Sequence, residues 1–186
     1  MIESEELEPR RSLPVWVIAA AFVLLTGFLV LIALGLGRVQ SGPIVIGQKV
    51  PGIDLTTFDN QVLHTSEMKN KVIVINFWAS WCKPCEQEAA ELEQAWQHYR
   101  PDGNVVFLGV DYVDTEPEAR RYLQQFKISY PNGPDLRTSI SQMFRIRGVP
   151  ETYIIDRAGN LAYIKIGPFT ATEELTAAID PLLEHK

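Results

Sequence analysis

The sequence predicts an α/β domain, a mixed central sheet with helices on both faces, preceded by a single apolar helix. Three observations predict it. Residues 72–77 (VIVINF) and 105–110 (VVFLGV) are continuously apolar and rich in β-branched side chains, the pattern of strands buried on both faces. Helical periodicity follows each of them, and a two-strand hairpin pattern precedes a last helix. Ahead of all this, residues 15–37 run for 23 positions without a charge.

Composition bounds the rest. A length of 186 residues predicts one domain and an appendage, and 46% apolar with 22% charged residues is an ordinary globular mixture. A net charge of −6 and a pI near 5.1 argue against a nucleic-acid partner, whose footprint would be basic. Two cysteines cannot staple a mini-protein, and they supply at most half of a four-ligand zinc site. The chemistry calls for no cofactor and no metal.

The uncharged run reads as a membrane anchor. As a helix it would be about 34 Å long, enough for a hydrocarbon core of about 30 Å. A cleaved signal peptide would need a basic start and an apolar core of roughly 7 to 15 residues. Here the start is acidic (Glu3, Glu5, Glu6, Glu8), and Arg10 and Arg11 stand only at the boundary. The expected layout is a cytoplasmic tail over 1–14, a transmembrane helix over 15–37, a linker over 38–48 and the α/β domain over 49–186. Arg10 and Arg11 precede the span and Arg38 and Lys49 follow it, so the positive-inside rule favours a cytoplasmic N-terminus only weakly.

Within the domain, the strand at 72–77 is followed by Cys85, Ala89, Leu92, Trp96 and Tyr99, spaced as one helical stripe. After the strand at 105–110, Thr115-Glu116-Pro117-Glu118 reads as a capping box opening a helix with Ala119, Tyr122, Leu123 and Phe126 on one face. A short helix through Ile140, Met143 and Phe144 ends before Gly148. Residues 152–155 and 161–166, joined by Asp156-Arg157-Ala158-Gly159-Asn160, read as a hairpin. Thr170-x-x-Glu173 caps a last helix carrying Leu175, Ile179 and Leu182.

The chemistry concentrates in Trp81-Cys82-Lys83-Pro84-Cys85, where strand passes into helix. A thiol in the first helical turn lies near unsatisfied backbone N–H groups and the positive end of the dipole, which favours the reactive thiolate. Attack by Cys82 would form a mixed disulfide, and attack by Cys85 would resolve it. Burial alone does not account for such a pair at a strand-to-helix junction. Haem attachment would need His after the second cysteine, and residue 86 is Glu. His64, His98 and His185 show no paired metal spacing, and His98 points away from the helical stripe. Among the nearby acids, Glu88 falls at the edge of that stripe, whereas Glu86, Glu91 and Glu93 should face water. Desolvation would raise the pKa of Glu88 and suit it to exchanging a proton with Cys85. Gly148-Val149-Pro150 leads into a strand; Pro150 reads either as a plain loop proline or as a cis proline whose preceding backbone binds an extended peptide.

Together these residues resemble thioredoxin, and specifically its membrane-anchored extracytoplasmic TlpA/ResA/DsbE (CcmG) group. The W-C-x-P-C-x-x-E motif of that group matches at Trp81, Cys82, Pro84, Cys85 and Glu88, and its G-x-P-E-T pattern matches from Gly148 to Thr152. The resemblance covers roughly residues 44–184, with an N-terminal extension over 50–71 and an extra strand and helix over 105–127. It implies a thioredoxin-like fold, a redox disulfide between Cys82 and Cys85, a cis Pro150, Glu88 modulating the thiols, and a substrate surface at Trp81, Val149 and Pro150. It also implies a plasma-membrane protein with its domain outside, reducing the haem-binding cysteines of apocytochrome c. Lys83 departs from the family and should favour the thiolate somewhat. An extracytoplasmic reductant needs a membrane thiol electron donor, because the single helix of this chain has no cysteine. The competing readings are a general extracytoplasmic thiol reductase, a copper-binding assembly factor using both thiolates, and a peroxidase. The last would require a lone peroxidatic cysteine.

Overall fold

The computed structural model describes residues 14–39 and 44–184, the side chains of 33–39 excepted. The expected tail up to residue 13, the middle of the linker and His185 lie outside the described residues. Two units result. The first is helix α1 (Val15–Val39), whose apolar side chains up to Ile32 are nearly all exposed, Phe22 and Leu24 at 68% and 74%. A helix of this length and composition can cross a bilayer.

The second unit is the α/β domain. In chain order its elements are β1 (Asp54–Thr56), β2 (Val62–His64), β3 (Val72–Trp78), α2 (Lys83–Tyr99), β4 (Val105–Asp111), α3 (Glu116–Gln125), β5 (Asn132–Pro134), α4 (Ser139–Phe144), β6 (Glu151–Ile155), β7 (Leu161–Ile166) and α5 (Thr172–Glu184). Five strands form one sheet in the order β5-β4-β3-β6-β7. β3, β4 and β5 run parallel, while β6 pairs antiparallel with both β3 and β7. This is the mixed sheet expected. β1 and β2 form a separate antiparallel pair in the N-terminal extension.

Alternation along β3 divides the core, because successive side chains point to opposite faces. Ile73, Ile75 and Phe77 pack with Leu55, Leu108, Ile140 and Phe144 on the side of α4 and the N-terminal extension. Val72 and Val74 pack with Leu92, Ala95 and Tyr99 of α2 and with Leu175 and Ile179 of α5. Asn76 and Trp78 share the parity of Val72 and Val74. This register carries a polar side chain under α2 and sets the Trp78 ring 4.5 Å from Tyr122 of α3. Tyr99 ties α2 to α5 by donating its hydroxyl to Asp180.

Several local expectations shift. The buried stripe of α2 runs through Cys85, Glu88, Ala89, Leu92, Ala95 and Tyr99, so Ala95 takes the place expected for Trp96. Glu93 does not simply face water: its carboxylate accepts the N–H and hydroxyl of Ser129 at 2.8 and 2.7 Å, and Glu91 accepts the Thr172 hydroxyl. Thr115 occupies the cap position of α3 without a side-chain bond, and Asp114 rather than Glu118 accepts the Thr115 N–H, at 2.7 Å. At α5, Thr170 meets Glu174 rather than Glu173. On the short helix α4, Ile140 and Phe144 are buried while Met143 is 37% exposed. The chain joins the domain's hydrogen bonding at Gly47, whose N–H donates to Leu161, and Leu161 in turn donates to Gln48.

Candidate functional site

The site lies where β3 gives way to α2. Cys82 is the N-cap residue, with extended backbone, and Lys83 and Pro84 open the helix. Pro84 fits there because the first amides of a helix have no partner within it. Cys82 and Cys85 are joined, with an S–S distance of 2.03 Å and Cα atoms 5.3 Å apart. The Cys85 N–H donates to Cys82 Sγ at 3.1 Å. That donor and the helix N-terminus favour negative charge on Cys82 once the pair is reduced. Both side chains are buried, at 4% and 1% exposure. Lys83 is exposed and pairs with Glu86 at 2.8 Å, so its charge is partly committed within the helix.

The neighbouring loop is fixed by polar contacts. Trp81 is 58% exposed, and its indole N–H donates to the Val113 carbonyl at 3.1 Å. Val113 holds φ at 49°, an uncommon conformation for a β-branched residue. The Ser80 N–H donates to Asp114 Oδ2 at 2.7 Å. The residues after β4 thus clamp the turn that presents the first cysteine. On the other side, Val149 packs against the cluster containing Cys82 and Cys85, and the Val149–Pro150 peptide is cis. The Pro150 carbonyl accepts from Gly167, while the Val149 amide and carbonyl take no partner among the described residues.

Glu88 stands one helical turn beyond Cys85 and is 1% exposed. Asn76 donates to its Oε1 at 2.7 Å, and the Phe169 N–H donates to its Oε2 at 3.0 Å. Asn76 also donates to the Thr152 hydroxyl at 3.0 Å, so one amide links β3, α2 and β6. Burial pushes the Glu88 carboxyl up to about 7, against the opposing pull of the Phe169 N–H, Asn76 and the charge of Lys165. A group with that pKa exchanges protons near neutrality.

A second buried acid was not anticipated. Asp111 ends β4 opposite Trp78, is 2% exposed, and leaves its Oδ1 without a partner. Burial, then the charge and hydrogen bond of Asp114, push its carboxyl up to about 8. The signals were polar residues set against the apolar runs, Asn76 inside VIVINF and Asp111 directly after VVFLGV. Glu151 is also buried, but both its oxygens are satisfied, by the Arg147 N–H and the Tyr153 hydroxyl, each at 2.7 Å.

No group of three or more His, Cys, Asp or Glu side chains is arranged for a metal ion among the described residues. His64 is paired with Asp54 at 2.7 Å, and the His98 ring lies exposed against Tyr99.

Residues 46–164 match the AhpC/TSA family. The thiol:disulfide interchange protein HelX of Rhodobacter capsulatus is 32% identical over 140 residues, 74% of this chain and 76% of HelX. The thiol-disulfide oxidoreductase ResA of Bacillus cereus is 27% identical over 125 residues, 67% of this chain and 72% of ResA. Among solved structures, a thiol:disulfide interchange protein of DsbE type from Chlorobium tepidum superposes with a TM-score of 0.69 at 25% identity, over 75% of this chain and 99% of that one. The chain therefore belongs to the AhpC/TSA family and, within its thioredoxin-like members, is a thiol-disulfide oxidoreductase of the TlpA/ResA/DsbE kind.

Proposed function

We propose that this protein is a membrane-anchored extracytoplasmic reductant that opens the disulfide between the haem-binding cysteines of apocytochrome c. The observation that carries the reading is the Cys82–Cys85 disulfide at the start of α2 with Glu88 buried one turn below it. The supporting layout is a cytoplasmic tail over 1–14, a span over 15–37, a linker over 38–48 and a redox domain over 49–186. The uncharged length of α1 supports the span.

The cycle starts when a membrane thiol donor delivers two electrons and two protons to the disulfide. The Cys82 thiolate then attacks one sulfur of the substrate disulfide. One S–S bond forms, one breaks, and the released substrate sulfur takes a proton. The Cys85 thiol loses its proton and attacks Cys82 Sγ, freeing the second substrate thiol and restoring the Cys82–Cys85 bond. Glu88 is the base for that second deprotonation: its pKa lies near neutrality, and it shares the buried face of α2 with Cys85. Trp81 and Val149 form the docking surface, one through its exposed ring and the other through free backbone groups beside the cysteines.

Cys85→Ser tests the reading, because it leaves the mixed disulfide unresolved. The expected result is a covalent adduct between Cys82 and an apocytochrome containing Cys-x-x-Cys-His, released by dithiothreitol. Absence of any adduct with such a substrate would overturn it.

A further inference from the structure

A second concave site lies at the other end of the sheet. The thiols follow the C-terminal end of β3, whereas a cleft of about 420 Å³ opens beside its first residues. Its walls come from the start of the domain, the segment before β3 and the β6–β7 turn. Val50, Ile73 and Ile155 give it an apolar floor, and Lys49, Lys69, Lys71 and Arg157 surround them. Four cations around one cleft are a local excess in a chain of net charge −6.

One carboxylate in the lining offsets one of the four charges and leaves a net excess of three positive charges. The one acidic side chain in the lining, Asp156, is taken by Asn160, through its backbone N–H at 2.8 Å and its amide at 3.3 Å. Lys49 directs its ammonium to the Ala158 carbonyl. Lys69 and Lys71 make no ion pair or side-chain hydrogen bond among the described residues. Arg157 Nε is buried with no partner. Ammonium and guanidinium groups set around one cleft can give charge-assisted hydrogen bonds to a shared anion. An apolar floor under a cationic rim suits an amphiphile with an anionic head. The tether supplies a source of one. From Val39 to Lys49 the chain can extend at most about 35 Å, an upper limit on the distance between the end of α1 and the rim of the cleft at Lys49.

We propose that this cleft binds the phosphodiester headgroup of an anionic phospholipid, with Lys69, Lys71 and Arg157 at the phosphate and Val50 and Ile155 against the adjoining carbons. The proposal rests on the reading of α1 as an anchor. β3 separates the cleft from the thiols by about 23 Å of strand, so a bound headgroup leaves Cys82 open to a protein disulfide.

The test uses the full chain in nanodiscs of phosphatidylcholine alone or mixed with phosphatidylglycerol. Lysine acetylation by acetic anhydride is followed by mass spectrometry, with exposed Lys83 and Lys127 as internal standards. Lys69 and Lys71 are expected to react about fivefold more slowly in the mixed discs, relative to the standards. In a Lys69→Glu/Lys71→Glu variant, Lys49 should lose any such protection while disulfide reduction is unchanged. A chain that fails to co-elute with the discs refutes the anchor and the proposal together. Equal rates in discs that do hold the chain refute the headgroup site alone, as does Lys49 protection that survives in the variant. Protection by inorganic phosphate in detergent, without protection in the mixed discs, makes the cleft a soluble-anion site and also overturns the proposal.

Discussion

Replacing Glu88 with Gln keeps the size of the buried side chain and removes its titration. In the fold this carboxyl titrates at about 7 instead of 4.5, chiefly because burial penalises its charged form. At about 1.4 kcal/mol per pH unit that difference amounts to roughly 3 kcal/mol. Exposure of 1% means that solvent screening does little to reduce it. The sign follows from which form the fold prefers. The native state holds the proton more tightly than the unfolded chain, so the contribution is fully present below pH 4.5 and is lost as pH rises through about 7. The amide of Glu88→Gln can still accept from Asn76 but can present an N–H to the Phe169 N–H, at a cost of about 2 kcal/mol. The variant is therefore less stable than the parent at pH 5 and overtakes it at about pH 6, the difference changing by about 3 kcal/mol in total. Guanidinium unfolding of the oxidised full-length protein in detergent, at a series of pH values, measures it. A difference between parent and variant that stays constant with pH would refute the assignment of this titration to Glu88.

Other substitutions probe separate parts of the argument. Asp111→Asn should remove a stability loss of the same sign that extends higher, through about pH 8, and melting temperatures across pH 6 to 9 read it; parallel curves for parent and variant would exclude it. Trp81→Ala should slow reduction of a protein disulfide about tenfold while costing less than about 1 kcal/mol of stability, since the ring is 58% exposed and holds one hydrogen bond. Gly133→Ala would set a Cβ 2.2 Å from the Thr56 carbonyl oxygen, a backbone atom that cannot swing aside. A loss of about 2–3 kcal/mol in denaturant unfolding is expected, with the β1–β2 pair becoming the most protease-sensitive segment.

The elements carrying strong periodicity were legible from composition alone. The apolar runs became β3 and β4, the Cys85–Ala89–Leu92–Tyr99 spacing became the buried face of α2, and the hairpin became β6 and β7. The elements that escaped are short. β5 is Asn132-Gly133-Pro134, three residues that locally favour turns and become a strand only by pairing with β4. β1 and β2 have three residues each, too few to show a period. Glu91 and Glu93 were misplaced for a related reason, because their partners Thr172 and Ser129 come from other elements that dock on α2.

For the site, the linear order of residues determined the disulfide pair. Cys82 and Cys85 flank Pro84 at a strand-to-helix junction, and the geometry of the first helical turn follows from local backbone rules. It also determined that Glu88 lies on the side of Cys85, since helical spacing is independent of the rest of the fold. Only the tertiary structure decided how that acid behaves. Its partners come from residues 76 and 169, its burial from the sheet beneath α2, and its pKa from the balance between them. The same holds for Asp111, raised by its burial and then by Asp114 beside the turn before α2, and for the basic cleft assembled from residues 49, 69, 71 and 157. Periodicity is a property of neighbouring residues along the chain. Desolvation and charge pairing depend on groups far apart in sequence, and those are specified only when the sheet and helices have packed.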